Sequence, residues 1–209
     1  MKFKNKVLML AIVFFMVSIG YRMIAVNTDH PFAAIYSAKA DVVVSKGSNI
    51  KCQTDGIVPN ELVTFAEKEL SLIPEGFRRA FVEDGWHIYI TTENLSEVYF
   101  NGEHTEVYGC TFYEKELILM ANNKKAIETA TVHEFGHWVD HYFGDISRTD
   151  EFTIIYEKEH RVFLDYFARN CKMDITEYFA ESFYHYVKHP EQLKNVAPAT
   201  YAVFENLAG

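Results

Sequence analysis

The residues best suited to chemistry lie in Thr131-Val132-His133-Glu134-Phe135-Gly136-His137-Trp138-Val139-Asp140, a stretch containing His-Glu-x-x-His. On an α-helix, His133 and His137 stand one turn apart and about 40° apart around the axis, so both imidazoles reach one metal ion. Neutral imidazoles are good ligands for Zn²⁺, and a carboxylate beside such an ion, here Glu134, can take a proton from a water that the ion acidifies. That is the arrangement of a metallopeptidase, and it requires one more ligand and a groove for substrate. A shuffled chain of this composition would contain the pattern about 0.04 times, so its surroundings must decide its meaning. Residues 124–142 contain no proline, and Ile127, Ala130, Phe135, Trp138 and Tyr142 recur at helical spacing, which predicts a buried helix from Lys124 to Tyr142. Gly136 costs such a helix up to about 1 kcal/mol relative to alanine, and predicts a close backbone approach at that point.

The third ligand has to come from elsewhere. A metzincin site would need a further histidine where this chain has Phe143, so that class is excluded. A glutamate on a later helix is the other common source. Residues 174–183 read as the start of one, with Asp174 as N-cap and Glu177 three residues on, as in a capping box. Glu177 and Glu181 share a face, so one can bind zinc while the other accepts the remaining N–H of a ligating histidine and fixes its tautomer. A helix N-terminus favours acidic residues in any case. The rival is Glu157, twenty residues after His137, but residues 151–168 read as an amphipathic helix. Ile154, Ile155, Val162, Phe163, Tyr166 and Phe167 form its apolar side, leaving Glu157, Lys158, Glu159 and Arg161 as its solvated face.

The pairing of His-Glu-Phe-Gly-His with the later Glu-Tyr-Phe-Ala-Glu resembles the catalytic domain of anthrax lethal factor and its relatives, which include small secreted Pro-Pro endopeptidases of Gram-positive bacteria. The resemblance extends over roughly the last 160 residues. It implies that His133, His137 and Glu177 bind one zinc ion, that Glu134 is the general base, and that Glu181 braces a ligating histidine. The fold it implies is α+β, a mostly helical zincin-like (gluzincin) domain, and the strand pattern predicts a small antiparallel sheet. One departure stands out. The family places a tyrosine about seven residues before the ligand glutamate, to stabilise the tetrahedral oxyanion, and this chain has Asn170 there. Either Tyr166 takes that role across a longer turn, or the oxyanion relies on zinc and another donor.

Several elements must hold these residues in place. Residues 59–72 predict a helix broken at Pro74-Glu75-Gly76, and Trp86 to Thr92 predict a strand in which Trp86 is read as core. Val107 to Tyr113 and Leu117 to Met120 predict a hairpin directly before the His-Glu-x-x-His helix, with Gly109 to Phe112 as the wall that aligns an extended substrate. Leu193 to Leu207 predict a closing helix. His185 and His189, four apart, lie at a helix end where the dipole favours histidine.

With 209 residues, 49% of them hydrophobic, the chain can build one substantial domain, predicted over 49–209 after a linker at 27–48 that includes a short strand at 41–44. Residues 1–26 have a basic start and an uncharged run from Val7 to Tyr21, the anatomy of a signal peptide or, if uncleaved, a membrane anchor. The expected location is therefore secreted, or anchored on the outer face of the membrane through that segment alone. Cys52, Cys110 and Cys171 form no C-x-x-C pair and are read as small buried hydrophobes. A net charge of −9 and the lack of a Gly-rich phosphate loop argue against nucleic acid. The expected protein is a monomeric zinc endopeptidase acting on proteins or peptides, and the resemblance implies proline-directed cleavage. The alternative is a secreted zinc-binding surface protein with weak or lost catalysis, which Asn170 favours.

Overall fold

In the computed structural model of this chain, the described residues are 49–103, 106–167 and 173–208. The N-terminal segment at 1–26, the linker at 27–48, Asn170 and Cys171 all lie outside them. Along the chain the elements are β1 (Cys52–Thr54), α1 (Asn60–Ser71), α2 (Glu75–Glu83), β2 (His87–Thr91), α3 (Leu95–Phe100), β3 (Gly109–Phe112), β4 (Leu117–Ala121), α4 (Lys124–Tyr142), α5 (Asp150–Tyr166), α6 (Ile175–Lys188), α7 (Pro190–Val196) and α8 (Pro198–Ala208). The architecture is α+β and mostly helical.

Helix α4 has the bounds its spacing predicts. It starts at Asn123, whose side chain accepts the Ala126 N–H at 2.8 Å and so satisfies one of the free donors of the first turn. From Ala130 to Asp140 every residue except His133 is buried. A helix apolar on most of its circumference must be covered on several sides. The sheet, α1 and α6 cover this one, and Phe135 and Trp138 join Phe81, Phe183 and the sheet residues Ile88, Ile90, Ile118 and Met120 in one core.

The four strands among the described residues are ordered β1-β2-β4-β3. The prediction of an antiparallel sheet holds only for the β3–β4 hairpin, because β1 and β4 both run parallel to β2. The physical reason is the connections: helices α1 and α2 carry the chain back across the sheet between β1 and β2, which returns the next strand in the same direction. β3 is therefore the terminal strand on the side of α4. Side chains on successive strand residues face opposite ways. Gly109 and Thr111 face α4, while Cys110 packs with Leu95, Tyr99, Leu117 and Leu119 on the far side, where Tyr99 also meets the Phe112 ring at 5.0 Å.

Other elements depart from the sequence reading. The break at Pro74 is a helix start, since α2 begins at the next residue. The short α3, capped by Asn94, lacks the length to show a period. The closing helix is two helices, because Pro198 removes a backbone donor after Ala197. In α5, Ile154, Val162 and Tyr166 are exposed, and Phe152 and Phe163 supply the buried contacts. Glu159, read as part of a solvated face, instead caps α8 by accepting the Ala199 and Thr200 N–H groups at 2.8 and 2.9 Å. Trp86 is core, packed against Phe81, Tyr113 and His141. Among the described residues no helix is long and apolar enough to cross a membrane.

Candidate metal centre and active site

Helix α6 brings the third donor. Asp174 caps it, accepting the N–H groups of Thr176 and Glu177 at 3.0 and 2.9 Å. The reciprocal half of the predicted capping box is not used, because the Glu177 carboxylate turns toward α4. Its Oε2 lies 3.3 Å from His133 Nε2 and its Oε1 lies 3.5 Å from His137 Nε2. One donor atom from each of His133, His137 and Glu177 lies within 4.8 Å of the others.

This convergence depends on Gly136. A Cβ on Gly136 would stand 2.9 Å from both the Cα and the carbonyl oxygen of Ala180, and 3.1 Å from Phe183 Cβ. The two helix backbones touch at that point, one turn beyond Glu177, and their approach carries the carboxylate to the imidazoles. The cost of a glycine inside a helix is offset by this packing.

The donor set fits zinc. Ligands about 2.0–2.2 Å from a tetrahedral ion stand roughly 3.3–3.5 Å apart, which is the spacing of the carboxylate oxygens from the two Nε2 atoms. Two imidazoles and one carboxylate form a set that leaves a fourth position open, as catalytic sites require. His133 is also oriented from behind, its Nδ1 3.0 Å from Glu181 Oε2, which sets Nδ1 as the protonated nitrogen and Nε2 as the ligand atom. Glu181 is 6% exposed and its other oxygen lies 3.4 Å from His185 Nε2. His137 Nδ1, by contrast, has no hydrogen-bond partner among the described residues, so that ring is held by packing and by Glu177 on its Nε2 side.

Glu134, 8% exposed, follows His133 on α4 and faces β3. The Thr111 hydroxyl donates to its Oε2 at 2.7 Å and lies 3.1 Å from its main-chain carbonyl. A Cβ on Gly109 would stand 2.7 Å from Glu134 Cγ, so the strand passes directly over this carboxylate. The sequence reading named Gly109 to Phe112 only as a wall for substrate and missed this contact. The available signal was the two-residue alternation, which puts Gly109 and Thr111 on one face.

Two other residues singled out from the sequence lie on α5, which supplies none of the three donors. Tyr166 ends α5, is 56% exposed and packs on the Phe167 ring; its hydroxyl has no hydrogen bond among the described residues. Glu157 is exposed on α5 and takes no part in the three-donor group. His185 and His189 lie with ring centroids 5.5 Å apart, but His185 faces Glu181, with Nε2 3.4 Å from its Oε1, and stacks on Phe167. Burial pushes the Cys52 thiol up to about 12, as fits an inert side chain.

Without metal, the histidines hold their protons more tightly than a free imidazole does. Burial disfavours charge on His133, yet the Glu177 and Glu181 carboxylates outweigh it and hold its pKa well above 6.5; the same balance, through Glu177, raises His137. Burial would raise the Glu177 carboxyl, but the imidazoles, His137 first, hold it well below 4.5. A raised histidine stabilises the fold below its unfolded pKa and loses that effect as pH rises through the folded value. A depressed carboxyl stabilises the fold above its unfolded pKa and loses that effect as pH falls through the folded value. The triad of the metal-free protein is therefore expected to stabilise it most between the ordinary values, about pH 4.5 and 6.5. Zinc competes with those protons, so its affinity is expected to fall as pH drops through the raised histidine pKa values. Calorimetric melting of zinc-free and zinc-loaded protein across pH 4 to 9 checks both; a zinc affinity flat across this range would contradict them.

A family profile described as anthrax toxin lethal factor, N- and C-terminal domain, matches residues 58–207. The solved structure of the Pro-Pro endopeptidase PPEP-2 from Paenibacillus alvei is similar with a TM-score of 0.61 at 22% identity, covering 76% of this chain and 96% of that one. At that identity the likeness concerns the fold. No curated protein matches.

Proposed function

From the premise that this chain belongs to the anthrax toxin lethal factor domain family, we propose that it is an exported zinc-dependent endopeptidase acting on proline-containing stretches of extracellular or surface proteins. The observation that carries this reading is the meeting of His133, His137 and Glu177 from two helices, with the Glu134 carboxylate near enough for its charge to act on both histidines. The proline preference and the export are drawn from the similar endopeptidase and from residues 1–26, respectively.

When bound, zinc supplies a Lewis acid that polarises the scissile carbonyl and acidifies a water. His133 and His137 would hold it through Nε2, and Glu177 through its carboxylate. Glu181 keeps the His133 proton on Nδ1. Glu134 accepts the proton of the attacking water and delivers it to the leaving amine, which converts a poor leaving group into a neutral one. Among the described residues β3 ends the sheet beside this carboxylate, and an extended peptide adds to its outer edge so that one carbonyl lies over the site.

The test is metal analysis of the purified full chain, with cleavage of casein and of a proline-containing peptide library assayed with and without chelator. One zinc per chain is expected, with cleavage lost on chelation and restored by zinc. Zinc without cleavage would favour the surface zinc-binding alternative, and absence of zinc, or cleavage indifferent to chelator, would sink the peptidase reading.

A further inference from the structure

The Glu134 carboxylate is held by the strand that passes over it. Thr111 is 3% exposed, and its hydroxyl donates to Oε2 at 2.7 Å. Two residues earlier on the same face, Gly109 leaves room for the stem of Glu134, since a Cβ there would stand 2.7 Å from Cγ, 3.1 Å from Oε1 and 3.2 Å from Ala130 Cβ. The pairing of Gly109 with Met120 and Thr111 with Ile118 fixes where these two residues stand along the helix.

We infer that Thr111 and Gly109 are positioning residues for the general base: the hydroxyl occupies one carboxylate oxygen and the missing side chain leaves space for the other, so that Glu134 presents Oε1 in a single orientation. This deepens the peptidase reading and rests on it. A glutamate has three rotatable bonds, and its unrestrained carboxylate would divide its time among several positions, most of them out of reach of the proton it must take. The strand thus does two jobs with its two directions. Its outer edge, unpaired among the described residues, is offered to substrate, and one face sets the base, so that the register of β3 against β4 places the scissile bond and the proton acceptor relative to each other.

The experiment compares Thr111→Val, Thr111→Ser and Gly109→Ala with wild type and Glu134→Gln. All are zinc-loaded full chains assayed on the best-cleaved peptide of the proline-containing library. Thr111→Val keeps the shape and removes the donor. It is expected to lower kcat about 10- to 100-fold with KM within about twofold, the size of effect that follows from losing orientation of a reacting group. Thr111→Ser is expected to restore most of kcat, and Gly109→Ala to lower it by displacing the carboxylate. Zinc content and melting temperature of both Thr111 variants are expected to match wild type. A crystal structure of zinc-loaded Thr111→Val is expected to show the Glu134 carboxylate rotated or in more than one position. Unchanged kcat in Thr111→Val, a Ser variant as impaired as Val, or an unmoved Glu134 in the crystal would each overturn the inference. Failure of the peptidase reading shows differently, as wild-type protein no more active than Glu134→Gln, and the crystallographic comparison decides the positioning claim even then.

Discussion

Glu134→Gln is expected to bind zinc as wild type does and to turn over peptide about 10²- to 10⁴-fold more slowly, the range over which a positioned proton acceptor contributes. Glu134 is not one of the three converging donors, so the donor set survives the change. The amide oxygen can still accept from Thr111, so the side chain keeps its place. What it loses is the capacity to take a proton. Its negative charge is also among the influences that favour protons on His133 and His137, so the substitution leaves zinc slightly less proton competition. Kinetics on the library peptide, paired with zinc titration, separate these effects. Undiminished cleavage by this variant would refute the assignment of the base.

Gly136→Ala is expected to destabilise the protein and weaken zinc binding together, although alanine is the better helix former. Replacing glycine in a helix interior ordinarily gains up to about 1 kcal/mol. Here the new methyl would meet main-chain atoms of Ala180 at 2.9 Å, and a backbone cannot rotate aside as a side-chain tip can. Forcing atoms into a closed contact costs typically about 1–3 kcal/mol, so the packing loss exceeds the propensity gain. Helices α4 and α6 are pushed apart, and Glu177 recedes from His133 and His137, whose ring atoms it now faces at 3.3 and 3.5 Å. A lower melting temperature in the zinc-free state and a raised zinc dissociation constant are the expected readings. A variant that melts higher and binds zinc normally would show that this contact does not set the site.

Much of the site was legible because it is local. His133, Glu134 and His137 share less than two turns of one helix, and regular helix geometry alone aims the two rings one way. The apolar residues from Ile127 to Tyr142 and the Asn123 cap reveal that helix with no knowledge of what packs on it. Glu177 and Glu181 were legible in part: their four-residue spacing and the Asp174 cap place them on one face, but the same features suit an ordinary acidic first turn. The sheet was less readable, since the direction in which β1 and β2 pair depends on helices between them, and Cys52–Thr54 is too short to show alternation. In α5, a solvated face and a cap for another helix look alike until α8 packs there, which is how Glu159 came to be misread.

Composition and spacing alone determined that this chain carries two imidazoles and a carboxylate aimed from one buried helix, because those relations repeat every 3.6 residues and need no partner. Only the tertiary structure decided which distant carboxylate completes the group, and that Glu181 rather than Glu177 stands behind His133. It also decided that Thr111 lies on Glu134. Those are contacts between segments 23 to 48 positions apart, and their distances come from how closely two surfaces pack, here from the absence of a side chain at Gly136 and Gly109.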